Sequence, residues 1–197
     1  MASSHHPRPG SFEFLEAKIR REASGTSFGK DFEWVCQWFL ENAPQYRGKF
    51  RQIVLWDDWP DRWGPDCGID LIAETQEGEL WAIQAKACSS EHTVSKREID
   101  SFLSESSRPQ IKYRLLIAST DDLGKNARRT IEQQEKHASL LLRGDLLASG
   151  LTWPSRVRGK APKQPVARPK PHQRAAIKSV ISGFKGKHRG QLIMACG

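Results

Sequence analysis

The chain has no apolar run of the roughly 18 residues or more that a membrane-spanning helix takes. Met1 to Gly10 hold no apolar stretch of the kind that opens a secretory signal. The cysteines Cys36, Cys67, Cys88 and Cys196 are scattered, with no C-x-x-C pair. That spacing argues against a zinc knuckle or a disulfide framework and points to a reducing cytoplasm. There is no internal repeat. Residues 155–197 contain no Asp or Glu but eleven Lys and Arg, leaving 20 bases against 23 acids in the rest. The formal charge of +8 is therefore a property of the tail. Such a tail is either a solvated linker or a segment that attracts phosphate.

What is present suits a packed domain of ordinary size plus that tail, with 38% hydrophobic and 27% charged residues. Phe12, Leu15 and Ile19 are spaced for a short helix over 12–22. Thr26 or Ser27 can cap a second helix, in which Phe28, Phe32, Val35 and Phe39 recur at helical spacing before Pro44. Residues 50–56 read as a strand. A loop rich in Trp, Asp and Pro follows, then two apolar runs, 68–75 and 79–87, joined by Gln76-Glu77-Gly78 as a hairpin. Ser95 and Glu98 form a capping box before Ile99, Phe102 and Leu103. A strand over 114–120, a helix over 122–137 and a short strand over 139–142 complete the pattern. From the second helix onward the order is α-β-β-β-α-β-α-β, an α/β sheet flanked by helices. The expected organisation is a flexible or helical segment 1–25, a domain 26–153, a basic Pro-rich linker 154–170 and a separate start at 171–197.

The chemistry concentrates on the hairpin. If it is symmetric about Glu77, paired residues sum to the same number and Asp70 faces Gln84, with Lys86 two residues on and on the same side. One account is a structural ion pair between Asp70 and Lys86. The other is a Mg²⁺ (or Mn²⁺) site, because hard cations select oxygen donors. Asp70 would give a carboxylate oxygen, Gln84 an amide oxygen and Ala85 a carbonyl. Lys86 would orient or deprotonate an attacking water, or offset charge on a phosphate.

Gly68-Ile69-Asp70 followed by Gln84-Ala85-Lys86 resembles the Mrr-like branch of the PD-(D/E)xK nucleases, in which Gln commonly replaces the second acid. Gly29-Lys30-Asp31-Phe32-Glu33 resembles that family's first-helix G-x-x-F-E pattern. The resemblance implies a restriction-endonuclease-like core with a mixed central sheet and a metal-dependent endodeoxyribonuclease activity. It implies Asp70, Gln84 and Lys86 as the catalytic core with Glu33 as helper, and Asp70, Gln84, Ala85 and Glu33 around the metal. Arg62 to Asp70 and Ile99 to Ser104 are similar to nuclease domains at the start of restriction-type helicases, including Type ISP restriction-modification enzymes of the prokaryotic cytoplasm. Asp66 is a minor further ligand candidate, with a turn role as the alternative.

Arg168-Pro169-Lys170-Pro171-His172-Gln173, a helix over 175–184 and the strand-like Gln191–Gly197 resemble the beginning of a superfamily 2 helicase. ATP would then serve only the full-length helicase. Lys96, Arg97, Lys125, Arg128 and Arg129 lie at the starts of helices that follow strands and are either solvated helix faces or contacts to double-stranded DNA, with Lys96, Arg97, Lys125 and Arg128 the candidate contacts. Trp56, Trp59 and Trp63 either stack on bases or pack a loop. His92, His137 and His172 show no ligand spacing. The reading is a restriction-type DNA endonuclease, cutting foreign DNA with a transient dimer on DNA as an added expectation. Its alternatives are an inactive DNA-binding module of a helicase and a repair or Holliday-junction nuclease.

Overall fold

The computed structural model describes residues 7–23, 27–65, 67–89, 91–164 and 170–183. Thr26, Asp66, Arg168 and the run Gln191–Gly197 lie outside these residues. The chain divides into two units, Met1–Lys163 and Gln164–Gly197. The first carries α1 (Phe12–Glu22), α2 (Ser27–Asn42), β1 (Phe50–Leu55), β2 (Leu71–Thr75), β3 (Leu80–Lys86), α3 (Arg97–Glu105), β4 (Ile111–Ala118), α4 (Lys125–Glu132), β5 (Ala138–Leu141) and α5 (Arg143–Leu147). The second carries α6 (Pro171–Gly183), which has no buried residue. No helix among the described residues is long and apolar enough to cross a membrane.

The strands form one five-stranded sheet in chain order. β1, β2 and β3 are antiparallel neighbours, whereas β3, β4 and β5 are parallel. The switch follows from connection length. The β2–β3 turn is a few residues around Gly78, whose φ of +81° suits glycine. The β3–β4 and β4–β5 links each hold a helix, as parallel crossovers require. Hence β1, β3, β4 and β5 end at one edge of the sheet, where β2 begins.

Alternation along the strands separates two cores. Leu71, Ala73, Trp81, Ile83, Leu115 and Ile117 pack with α1, α2 and α5 residues such as Leu15, Val35, Phe39 and Leu146. Ile72, Ala82, Leu116 and Ala118 pack with Ile99, Phe102, Ala127 and Ile131 of α3 and α4. With helices on both sides, all five residues of β2 are buried.

Local differences from the expected elements have physical causes. α4 begins later than the helix expected over 122–137, because Val94 and Leu123 form a bridge that keeps the chain extended up to Gly124, and it ends at Glu132. The capping box forms in part: Glu98 accepts from the Ser95 amide at 2.8 Å, while the Ser95 hydroxyl turns to the same carboxylate. Trp153 joins the first core, stacked on Phe39 and tilted against Phe12 and Trp38.

Candidate active site

The β2–β3 register runs from Glu74↔Leu80 to Leu71↔Ile83, so each pair has the sum expected for symmetry about Glu77. The ladder ends one pair short of Asp70 and Gln84. Instead, the Asp70 amide donates to the Ile83 carbonyl at 2.9 Å. Its carboxylate Oδ2 accepts the Ala85 amide at 2.7 Å, a side chain standing where the next main-chain acceptor would be. The Asp70 carbonyl accepts from the Trp56 amide at 2.8 Å. Asp70 is thus fixed through main chain and side chain where the strands part.

That position is costly for charge. Burial pushes the Asp70 carboxyl up to about 6 from an ordinary 3.8. The Glu33 carboxylate pushes the same way, while the Ala85 amide and the Lys86 and Lys30 ammonium groups pull down. Asp70 therefore senses Glu33 of α2 and Lys86 of β3 together. By alternation Gln84 and Lys86 lie on the face of β3 that carries Ala82, toward α3 and α4, whereas α2 packs on the other face. Asp70 sits at the strand end where these two sides meet. Gln84 is only 2% exposed and its Oε1 has no hydrogen-bond partner among the described residues, a costly state for a polar atom.

Beside Asp70 lies a cavity of about 350 Å³ lined by Lys30, Glu33, Trp56, Asp57, Pro65, Ile69 and Asp70. Glu33 comes from the second turn of α2, and burial raises its carboxyl pKa while Lys30 lowers it. Lys30 Nζ lies 3.2 Å from Glu33 Oε2 and 3.2 Å from Asp57 Oδ2. Burial lowers the Lys30 ammonium pKa, but the two carboxylates outweigh it and the net direction is up. Asp57 also meets Arg62 at 3.3 Å. Among the described residues no group of three or more His, Cys, Asp or Glu is arranged to hold a metal. The donors nevertheless fit a hard cation in kind: two desolvated carboxylates and a buried, unpartnered amide oxygen.

The expected DNA contacts gather at the same edge. Val94 and Leu123 stitch together the starts of α3 and α4, with the Val94 amide donating to Asp122 at 2.9 Å and the Gly124 amide to Val94 at 3.0 Å. Arg97, Lys125 and Arg128 are exposed there. Lys96 is also exposed, but Asp100 holds its ammonium with both oxygens at 2.8 Å. The tryptophans are packing residues in this structure. Trp56 and Trp59 are buried, Trp63 meets Trp56 edge-on at 4.8 Å, and its Nε1 donates to Glu105 at 2.9 Å. Gly68, at φ +73°, brings this loop so close to α3 that an added Cβ would meet the Phe102 amide nitrogen at 3.0 Å.

Sequence reasoning missed Lys30 and Asp57. Lys30 stood inside the G-x-x-F-E segment and Asp57 in the Trp-rich loop, but nothing local signals that the two meet.

Residues 41–163 match the model of a restriction endonuclease family, Mrr_cat_2. The segment spans all five strands and begins after Lys30 and Glu33. No curated protein matches the chain. Among solved structures, the chain is similar to the ATP-dependent Type ISP restriction-modification enzyme LlaBIII bound to DNA, with a TM-score of 0.64 and 29% identity. The similarity covers 92% of this chain and 12% of that one, so the chain spans about an eighth of that enzyme's length.

Proposed function

This chain belongs to the restriction endonuclease family whose model it matches over residues 41–163, and on that premise we propose that it is a divalent-cation-dependent endodeoxyribonuclease domain of a restriction system, acting on double-stranded DNA. The observation that carries the proposal is the state of Asp70. Its carboxylate is desolvated to a pKa of about 6 at the strand end, where it feels the Glu33 carboxylate and the Lys86 ammonium, while on the adjoining strand the buried Gln84 oxygen has no hydrogen-bond partner among the described residues. A protein without a use for that arrangement would be more stable without it.

Asp70 would hold a Mg²⁺ or Mn²⁺ ion, with Glu33, the Gln84 amide oxygen and the Ala85 carbonyl as further oxygen donors. The ion would supply Lewis-acid stabilisation of charge on a phosphate oxygen. The Ala85 amide keeps the Asp70 carboxylate turned to the open strand end. Lys86 presents an ammonium that can orient an attacking water or balance charge on the phosphate. In hydrolysis the water oxygen bonds to phosphorus, one P–O bond to a sugar breaks, and the released oxygen takes a proton. Arg97, Lys125 and Arg128 would hold the flanking backbone at the same edge, with Lys96 joining if Asp100 releases it. A transient dimer on DNA would put two such sites on opposite strands.

The same reading extends to the tail. The neighbour's description as ATP-dependent and the Arg168–Gln173 sequence, whose last three residues open α6, support a chain that continues into a helicase motor in a prokaryotic cytoplasm. ATP would act only there.

Plasmid nicking tests the proposal. Wild-type protein with Mg²⁺ is expected to nick, chelator to stop it, and Asp70→Ala and Lys86→Ala each to lose about a hundredfold or more. Equal cutting by all three proteins would sink it. Tight DNA binding without cutting would favour an inactive binding module, and preference for branched over linear DNA a repair or Holliday-junction nuclease.

A further inference from the structure

Of the described residues lining the cavity beside Asp70, Lys30 alone carries positive charge. Its ammonium bridges Glu33 and Asp57 at 3.2 Å each. The partners differ in freedom: the Lys30 side chain is 59% exposed and the Glu33 side chain 10%. Lys30, on a flexible four-carbon stem, can leave for water without opening the fold, whereas the Glu33 carboxylate cannot. Asp57 would not be stranded, because Arg62 stays on its other oxygen at 3.3 Å. Departure of Lys30 therefore bares one buried carboxylate oxygen, that of Glu33, on the cavity shared with Asp70.

We propose that Lys30 is an exchangeable counter-ion that sets the site's affinity for a divalent cation, holding Glu33 while the cation is away and swinging into water when one binds. The inference rests on the cation site read above. It assigns to Lys30 a competing role rather than a supporting one. A fixed positive charge a few ångströms from an incoming dication opposes it. A surface-facing ion pair of this kind is weak enough to break.

Manganese binding to the full chain without DNA, followed by the electron-spin signal of free Mn²⁺ or by calorimetry, tests it independently of cleavage. Wild type, Lys30→Met, Lys30→Arg and Asp70→Ala would be compared. Lys30→Met should bind Mn²⁺ roughly tenfold more tightly than wild type, since a single opposing charge is removed. Lys30→Arg, which keeps the charge, should stay within about threefold of wild type. Asp70→Ala should lose binding. If Asp70→Ala loses binding while Lys30→Met matches or falls below wild type, the cation site stands and the competing role of Lys30 is overturned. If Asp70→Ala binds as wild type does, or if neither wild type nor Lys30→Met binds, both fall.

Discussion

Two glutamates on neighbouring helices are buried to the same degree and treated in opposite ways. Glu16 of α1 is 7% exposed and Glu33 of α2 is 8% exposed. Glu16 accepts from Arg20 at 2.8 Å and from two nitrogens of Arg143 at 2.9 and 3.1 Å. Arg20 also donates to the Cys88 carbonyl, two residues past Lys86, and lies 4.6 Å from the Phe28 ring. The Ser119 hydroxyl holds Cys88 at both its amide and its carbonyl. Glu16 thus closes a network that fixes α1, α5 and the exit of β3. Glu33 has one half-solvated lysine, and the carboxylates of Asp57 and Asp70 repel it. A buried charge with complete partners organises a fold, and one left short of partners marks a place where a ligand is expected.

The largest predicted effect tests the closed half of this contrast. Glu16→Ala leaves Arg20 and Arg143 without their shared acceptor and should cost about 3 kcal/mol in urea unfolding. Glu33→Ala removes a repulsive charge along with one exposed partner and should cost less than about 1 kcal/mol. Equal losses would erase the distinction.

A smaller effect of opposite sign is expected at Asp70. Its folded pKa of about 6 lies above the ordinary 3.8, so the protonated form is the one that folding favours. That contribution is complete below about pH 4, declines as pH rises, and is gone above about pH 6. At about pH 8 without divalent cation, Asp70→Asn should therefore stabilise the fold by about 2 kcal/mol. Its amide oxygen can still accept from Ala85. Added Mg²⁺ should raise the melting temperature of wild type and leave Asp70→Asn unmoved. A destabilised Asp70→Asn under those conditions would mean the carboxylate is well satisfied as it stands.

The same contrast separates what was readable in the sequence from what was not. The hairpin register was readable because Gly78 marks the turn and apolar alternation sets the pairing. The helices flanking the sheet followed from the order of strand and helix patterns, and the mixed sheet was what the family resemblance implied. The end of the ladder at Leu71 was hidden, because the Asp70 side chain takes over a main-chain hydrogen bond and no residue pattern announces that. Asp70, Gln84, Lys86 and Glu33 could be singled out as a short motif. Their division between two faces of the sheet, and the Lys30–Asp57 contact, depend on how α2 meets the loop after β1. Glu16 and Arg143 lie 127 residues apart. Periodicity describes neighbours along the chain, and such ion pairs are made across it.

The smallest effect concerns two buried polar side chains at the edge of the sheet that carries the proposed site. Ser119 is 0% exposed and its hydroxyl is used as acceptor and donor by Cys88. Gln84 is 2% exposed, yet its Oε1 has no partner among the described residues. Ser119→Ala takes the bond from the buried Cys88 amide and leaves its carbonyl to Arg20 alone, and should cost about 1–2 kcal/mol. Gln84→Met keeps the volume and removes an oxygen already desolvated without compensation, so thermal unfolding should shift by less than about 1 kcal/mol in either direction. Cleavage should respond in the reverse order, with Gln84→Met losing about tenfold or more because an oxygen donor is gone. If Gln84→Met destabilises more than Ser119→Ala, the Gln84 oxygen has a partner in solution and is not a free donor for the proposed cation.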